Sequence, residues 1–164
     1  VLRHALPHLR EQRRGHIFNV ASIVGFQGGY AGWGSYVASK FALAGLTEAL
    51  AAEVAELGIT ATVVYPGPVR TGFLSDASLM AASHTPTAYR AAQASLDLHL
   101  NELDGKQAGD PDKLALLMIQ AASVDTPPLH LFSGKIAHQL AKEKISAVSH
   151  DLTQWQGAGE ATDF

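Results

Sequence analysis

Residues 59–65 read Ile-Thr-Ala-Thr-Val-Val-Tyr, between a long alanine- and leucine-rich run and the triplet Pro66-Gly67-Pro68. Their β-branched content predicts a buried strand that the prolines end. Upstream, Leu43, Leu46, Leu50, Val54 and Leu57 recur every three or four residues, which predicts a helix over 35–57 with Gly58 as its stop. Before that helix, residues 16–21 (HIFNVA) read as another short strand, and 22–34 hold too much glycine for regular structure, so a loop is expected there. Strand, helix and strand on short connections form a βαβ unit, whose right-handed crossover implies a parallel sheet with helices packed on both faces. The fold class is α/β.

Further out, Leu2, Leu6 and Leu9 predict a helix over 1–12, which Val1 enters with no cap before it. Downstream, helices are expected over 87–103 and 111–124, the second opened by Asp110 as cap and Pro111 at the first helical position. A third strand is expected over 129–132, a last helix over 134–155, and a loose tail, QGAGEATDF. No repeat or linker divides the chain, so 1–164 read as a single domain. A net charge of -3 offers no basic excess for a phosphate backbone, which argues against nucleic acid as a partner. No apolar run reaches the roughly 20 residues of a membrane span, and no membrane partner is expected. The absence of cysteine removes thiolate chemistry and disulfides and points to a reducing, cytoplasmic home.

Tyr36 and Lys40 stand four apart at the start of the long helix, on one face, about 5 to 6 Å apart at Cβ. Lowering a phenol by about 3 pKa units takes roughly 4 kcal/mol. An ammonium about 4 Å away at an effective dielectric near 20 supplies about that much. The pair is thus a candidate acid/base couple at neutral pH, with Lys40 also in reach of ribose-type hydroxyls. Ser22 closes the first strand at the carboxyl end of a parallel sheet, where ligands of open α/β sheets bind, and its hydroxyl suits a substrate oxygen. The segment Pro66–Thr71 points at the same edge from the next strand. Tyr30 is the rival phenol, but Gly34 rather than a lysine stands four residues on. His4 and His8 share a metal-site spacing without a third ligand nearby, and are read as surface or packing residues, so no metal is expected.

Asn19-Val20-Ala21-Ser22-Ile23-Val24-Gly25, Tyr36-Val37-Ala38-Ser39-Lys40 and Pro66-Gly67-Pro68-Val69-Arg70-Thr71 together resemble, in order, spacing and strand–helix context, the short-chain dehydrogenase/reductase family. The resemblance implies a Rossmann-like sheet and hydride transfer between NADP or NAD and a small alcohol or ketone. It implies Ser22, Tyr36 and Lys40 as catalytic residues, with Tyr36 the general acid/base, Lys40 lowering its pKa and Ser22 polarising the substrate oxygen. Tyr36, Lys40, Pro66, Gly67, Val69 and Thr71 are the implied cofactor contacts, Lys40 on the nicotinamide ribose and Thr71 with the Pro66-Gly67 turn at the carboxamide end. Residues 72–109 match the family's substrate-binding region, where Phe73, Leu74, Leu79 and Met80 suggest an apolar wall. The family's helix pairing across a dimer implies a homo-oligomer. The match is to the family's C-terminal, catalytic half: the TGxxxGxG pyrophosphate turn, the NAG motif and the asparagine of the preceding helix have no counterpart here, so the N-terminal cofactor-binding half is expected to be lacking. The competing expectation is a non-catalytic interaction or structural module that keeps the motif without a complete cofactor site.

Overall fold

The computed structural model describes residues 1–75, 78 and 86–164. Three strands, β1 (Gly15–Val20), β2 (Ile59–Pro66) and β3 (His130–Ser133), form one parallel sheet in the order β1-β2-β3. β1 pairs with β2 from Gly15↔Ile59 to Val20↔Val64, and β2 with β3 from Val63↔His130 to Pro66↔Ser133. Residues 59–65 of β2 are buried with the single exception of Thr60, a run without alternation that marks a strand covered on both faces.

Odd-numbered positions of β1 and β2 meet α2 (Gly34–Val54), whose buried Ala44, Thr47, Leu50 and Val54 keep one helical face on the sheet. Ile17, Leu50, Val54, Ile59 and Ala61 form one cluster, closed by Leu2, Leu6 and Leu9 of α1 (Leu2–Gln12), which runs through Pro7 without a break. Within this layer the Asn19 amide donates to Thr47 Oγ1 at 2.9 Å, and the Thr47 hydroxyl donates to the Leu43 carbonyl at 2.7 Å. That chain ties the strand tip carrying Ser22 to the helix carrying Tyr36 and Lys40. Gly58 turns α2 into β2 at φ 71, where a Cβ would stand 2.3 Å from the Arg13 carbonyl oxygen, so both conformation and space require glycine.

The glycine-rich stretch expected as a loop contains a short 3₁₀ turn, Ile23–Gly25, capped by Ser22, whose hydroxyl accepts from the Val24 amide at 3.4 Å. Phe26 meets Tyr65 and Phe132 edge-on, at centroid distances of 5.6 and 5.2 Å, and so fastens this turn to β2 and β3. Downstream, α3 (Arg90–Asp97) begins later than expected, and the run to 103 is completed as a π-helical stretch, Leu98–Leu103. Asp110 caps α4 (Pro111–Ala122) through the amides of Asp112 and Lys113, as its sequence predicts. The tail expectation is corrected: α5 extends over Lys135–Glu160, through Gly157 and Gly159, because an established helix propagates at low cost and Gln156 bonds Glu160 across the last turn at 2.7 Å. Among the described residues no helix is long and apolar enough to cross a membrane.

Candidate active site

At the carboxyl edge of the sheet a cavity of about 380 Å³ collects residues from all the segments singled out in the sequence. Ser22, Tyr36, Lys40, Pro66, Gly67, Val69 and Thr71 all line it. Each arrives by its own route. Ser22 leaves the end of β1 as the cap of the 3₁₀ turn, Tyr36 and Lys40 sit in the first turns of α2, and Pro66 ends β2. Val69 is held by a parallel bridge to Gly109, and Thr71 caps a second 3₁₀ turn, Gly72–Leu74, through the Phe73 amide at 3.4 Å.

Gly25 sets the distance between two of these segments. A Cβ there would lie 2.7 Å from the Lys40 carbonyl oxygen and 2.9 Å from its carbon, so the Ser22 turn packs directly on the backbone of α2. The Ser22 hydroxyl faces the same cavity as the Tyr36 phenol and is near enough to favour its ionised form. Lys40 Nζ stands 5.7 Å from the centre of the Tyr36 ring and donates to the Val20 carbonyl at 3.1 Å.

In the protein alone, burial works against the expected coupling of Tyr36 and Lys40. Burial pushes the Tyr36 phenol above the ordinary tyrosine value, and the Ser22 hydroxyl offsets only part of this. Burial also pulls the Lys40 ammonium below its usual value. The ammonium spends its nearest hydrogen bond on a backbone carbonyl, and desolvation disfavours the charged form of both groups. The protein alone therefore holds the phenol neutral. The rival Tyr30 lines the same cavity, likewise pushed up by burial, but the influence of Ser22 falls on Tyr36.

Phe73 and Leu74, expected as an apolar wall, do line the cavity, whereas Leu79 and Met80 lie outside the described residues. Sequence reasoning missed Trp33, His99, Gln107, Leu114 and Ile136. Trp33 is buried directly before α2, its indole N–H donating to Ser95 Oγ at 3.2 Å, with its ring 4.9 Å from His99 and 6.1 Å from Tyr36. Gln107 is 6% exposed, and its side-chain oxygen is buried without a hydrogen-bond donor. The only sequence cue to this wall was the position of 72–109 after the third motif. Among the described residues no group of three or more His, Asp or Glu side chains is placed to hold a metal.

A parallel α/β sheet with a cavity at the carboxyl ends of its strands is the arrangement of the dinucleotide-binding class of α/β folds. The family model for short chain dehydrogenases matches residues 1–81. The chain is 32% identical over 151 residues to oxidoreductase BOA17 of Botryotinia fuckeliana, covering 92% of this chain and 54% of that protein. It is 31% identical over 151 residues to the 3-ketodihydrosphingosine reductase of Bacteroides thetaiotaomicron, covering 92% of this chain and 55% of that protein. A crystal structure of a short-chain dehydrogenase from Streptomyces avermitilis superposes with a TM-score of 0.83 at 32% identity, over 99% of this chain and 58% of that one. Two more distant structures share the fold and were solved with cofactor. One, from Burkholderia cenocepacia with NADP, has a TM-score of 0.56 at 21% identity, over 93% of this chain and 52% of that one. The other, from Burkholderia phymatum with NAD, has a TM-score of 0.64 at 20% identity, over 94% and 54%. The chain belongs to the short-chain dehydrogenase/reductase family. It spans about half the length of the curated relatives it matches.

Proposed function

We propose that the protein is an NAD(P)-dependent oxidoreductase that interconverts a small alcohol and its carbonyl compound, with Tyr36 as the proton-transfer group. The observation that carries this reading is the convergence of Ser22, Tyr36 and Lys40 on one cavity that the Pro66–Thr71 turn also lines.

The residues present fit the nicotinamide end of such a cofactor. Val20, Pro66, Pro68 and Val69 supply apolar lining for a flat ring, Tyr36 and Lys40 offer polar hydrogens for a ribose diol, and Gln107 lines the same cavity with its side-chain oxygen buried and without a donor. Bound there, the cofactor supplies or accepts the hydride. Ser22 Oγ–H orients the substrate oxygen beside the phenol. Tyr36, held neutral by burial, donates its proton to that oxygen as carbonyl reduction requires, and Lys40 stabilises the phenolate left behind. Cofactor preference, a cytoplasmic home and a homo-oligomeric state belong to the same proposal.

Titration of NADH and NADPH, followed by nicotinamide fluorescence, tests it. Saturable binding is expected, with Tyr36→Phe abolishing turnover while sparing affinity and Lys40→Met weakening both. Retained turnover in Tyr36→Phe removes Tyr36 from its role, and absence of binding by the intact chain favours the non-catalytic module, for which the outer edge of β1, unpaired among the described strands, is the natural docking edge.

A further inference from the structure

The cavity is also lined by an imidazole that the proton chemistry does not use. His99 lies on the π-helical stretch Leu98–Leu103, a local geometry that often marks functional positions, and it lines the cavity. Its Nδ1 stands 2.7 Å from the Ser95 carbonyl oxygen. A carbonyl only accepts, so Nδ1 carries a hydrogen, and in the tautomer this bond selects Nε2 is the acceptor. No hydrogen bond is made to Nε2 among the described residues, and it is not among the buried unpaired atoms, so it remains open to a ligand. The ring is braced by Trp33, 4.9 Å away, which is itself pinned through its indole N–H to Ser95 Oγ. From Trp33 the aromatic wall continues to Tyr36 at 6.1 Å and to Phe73, 5.3 Å from Tyr36.

The arrangement is an aromatic wall that runs from the Tyr36 phenol through Trp33 to an imidazole acceptor with no partner among the described residues. We propose that His99 is a specificity residue whose Nε2 accepts a hydrogen bond from a hydroxyl or amine on the substrate, at the end of a planar apolar body remote from the reacting carbonyl. The substrate class is then an aryl-type carbonyl compound with a second, hydrogen-donating group. A substrate without that group desolvates Nε2 and gives nothing in return, the asymmetry by which polar sites reject analogues. The substrate-class part rests on the hydride-transfer reading above.

The probes are para-hydroxyacetophenone and para-methoxyacetophenone, the same ketone with and without a donor. In the intact protein with NADPH, kcat/KM is expected to favour the hydroxyl compound about tenfold, the worth of one hydrogen bond. His99→Phe brings that ratio close to one, and His99→Gln, which keeps an acceptor, restores most of it. Binding is read separately in a Trp155→Phe background, which leaves Trp33 as the one tryptophan reporting on the cavity through fluorescence quenching. The same tenfold preference and its loss in His99→Phe are expected there. A preference unchanged by His99→Phe, a ratio near one in the wild type, or no quench by either ketone overturns the proposal. Failure of the hydride-transfer reading has a different signature: neither ketone is reduced, yet the binding preference and its dependence on His99 remain.

Discussion

Replacing Gly25 by alanine adds one carbon where the structure leaves no room. The new Cβ would stand 2.7 Å from the Lys40 carbonyl oxygen, 2.9 Å from its carbon and 3.1 Å from its Cβ. Reaching an ordinary carbon–oxygen contact near 3.3 Å requires the Ser22 turn and α2 to separate by about 0.6 Å. The nearest obstacle is helix backbone, so no side-chain tip can swing aside. Overpacking of this kind costs about 1–3 kcal/mol, and the restricted unfolded chain of alanine returns up to about 1 kcal/mol of it. A net loss of about 1–2 kcal/mol is expected, read as a lower urea midpoint at unchanged slope. Because the separation opens between Ser22 and the Tyr36–Lys40 turn, turnover should fall by on the order of tenfold to a hundredfold. Gly45→Ala is the control. It lies on the exposed side of α2 with nothing within 4 Å of its built Cβ, so it should gain about 0.5–1 kcal/mol at unchanged rate. A Gly25→Ala protein as stable and as active as the parent would refute the close-approach argument.

Gln107→Leu removes a buried oxygen that has no donor, so thermal stability should rise by about 1 kcal/mol; a lower melting temperature counts against it. Thr47→Val strands the Asn19 amide between β1 and α2 and should cost about 1–3 kcal/mol in urea unfolding, with Thr47→Ser largely neutral. Tyr65 is 1% exposed, and burial, aided by Glu48, pushes its phenol up to about 12, whereas an unfolded tyrosine ionises near 10. The folded state therefore keeps a proton the unfolded chain has released. Stability is full below about pH 10 and declines by up to about 1.4 kcal/mol per pH unit toward about 12, a slope that Tyr65→Phe should reduce in urea titrations across that range.

The sheet and its site-bearing edge were legible because their signals are local. Residues 59–65 are mostly β-branched and, Thr60 apart, stay buried, Leu50 and Val54 of the predicted spacing lie on the packed face of α2, and the Ser22, Tyr36 and Pro66–Thr71 segments meet because parallel strands end on one side. What stayed hidden was long-range or energetic. Nothing near Trp33 announces Ser95 or His99 as its neighbours, 62 residues separating the indole from its acceptor. The π geometry at 98–103 has no composition of its own, and the orphaned Gln107 oxygen is visible only once its surroundings are placed. Spacing gives a lysine's proximity but not its target: the ammonium turns to the Val20 carbonyl while burial raises the tyrosine. The tail was misjudged because glycine content weakens a helix without forbidding the continuation of a long one.

The parallel bridge between Val69 and Gly109 closes a long excursion of chain at its neck. The Arg70 amide donates to Gly109, the Gly109 amide to Pro68, and the Arg70 side chain to the Gln107 carbonyl, at 2.8, 2.8 and 3.1 Å. Between those clasped ends hang Phe73, Trp33's anchor Ser95, and His99, while Ser22, Tyr36 and Lys40 are held by strand tips and α2 outside the loop. On the proposed function, exchanging the clasped segment for that of a cousin should transplant taste, not chemistry.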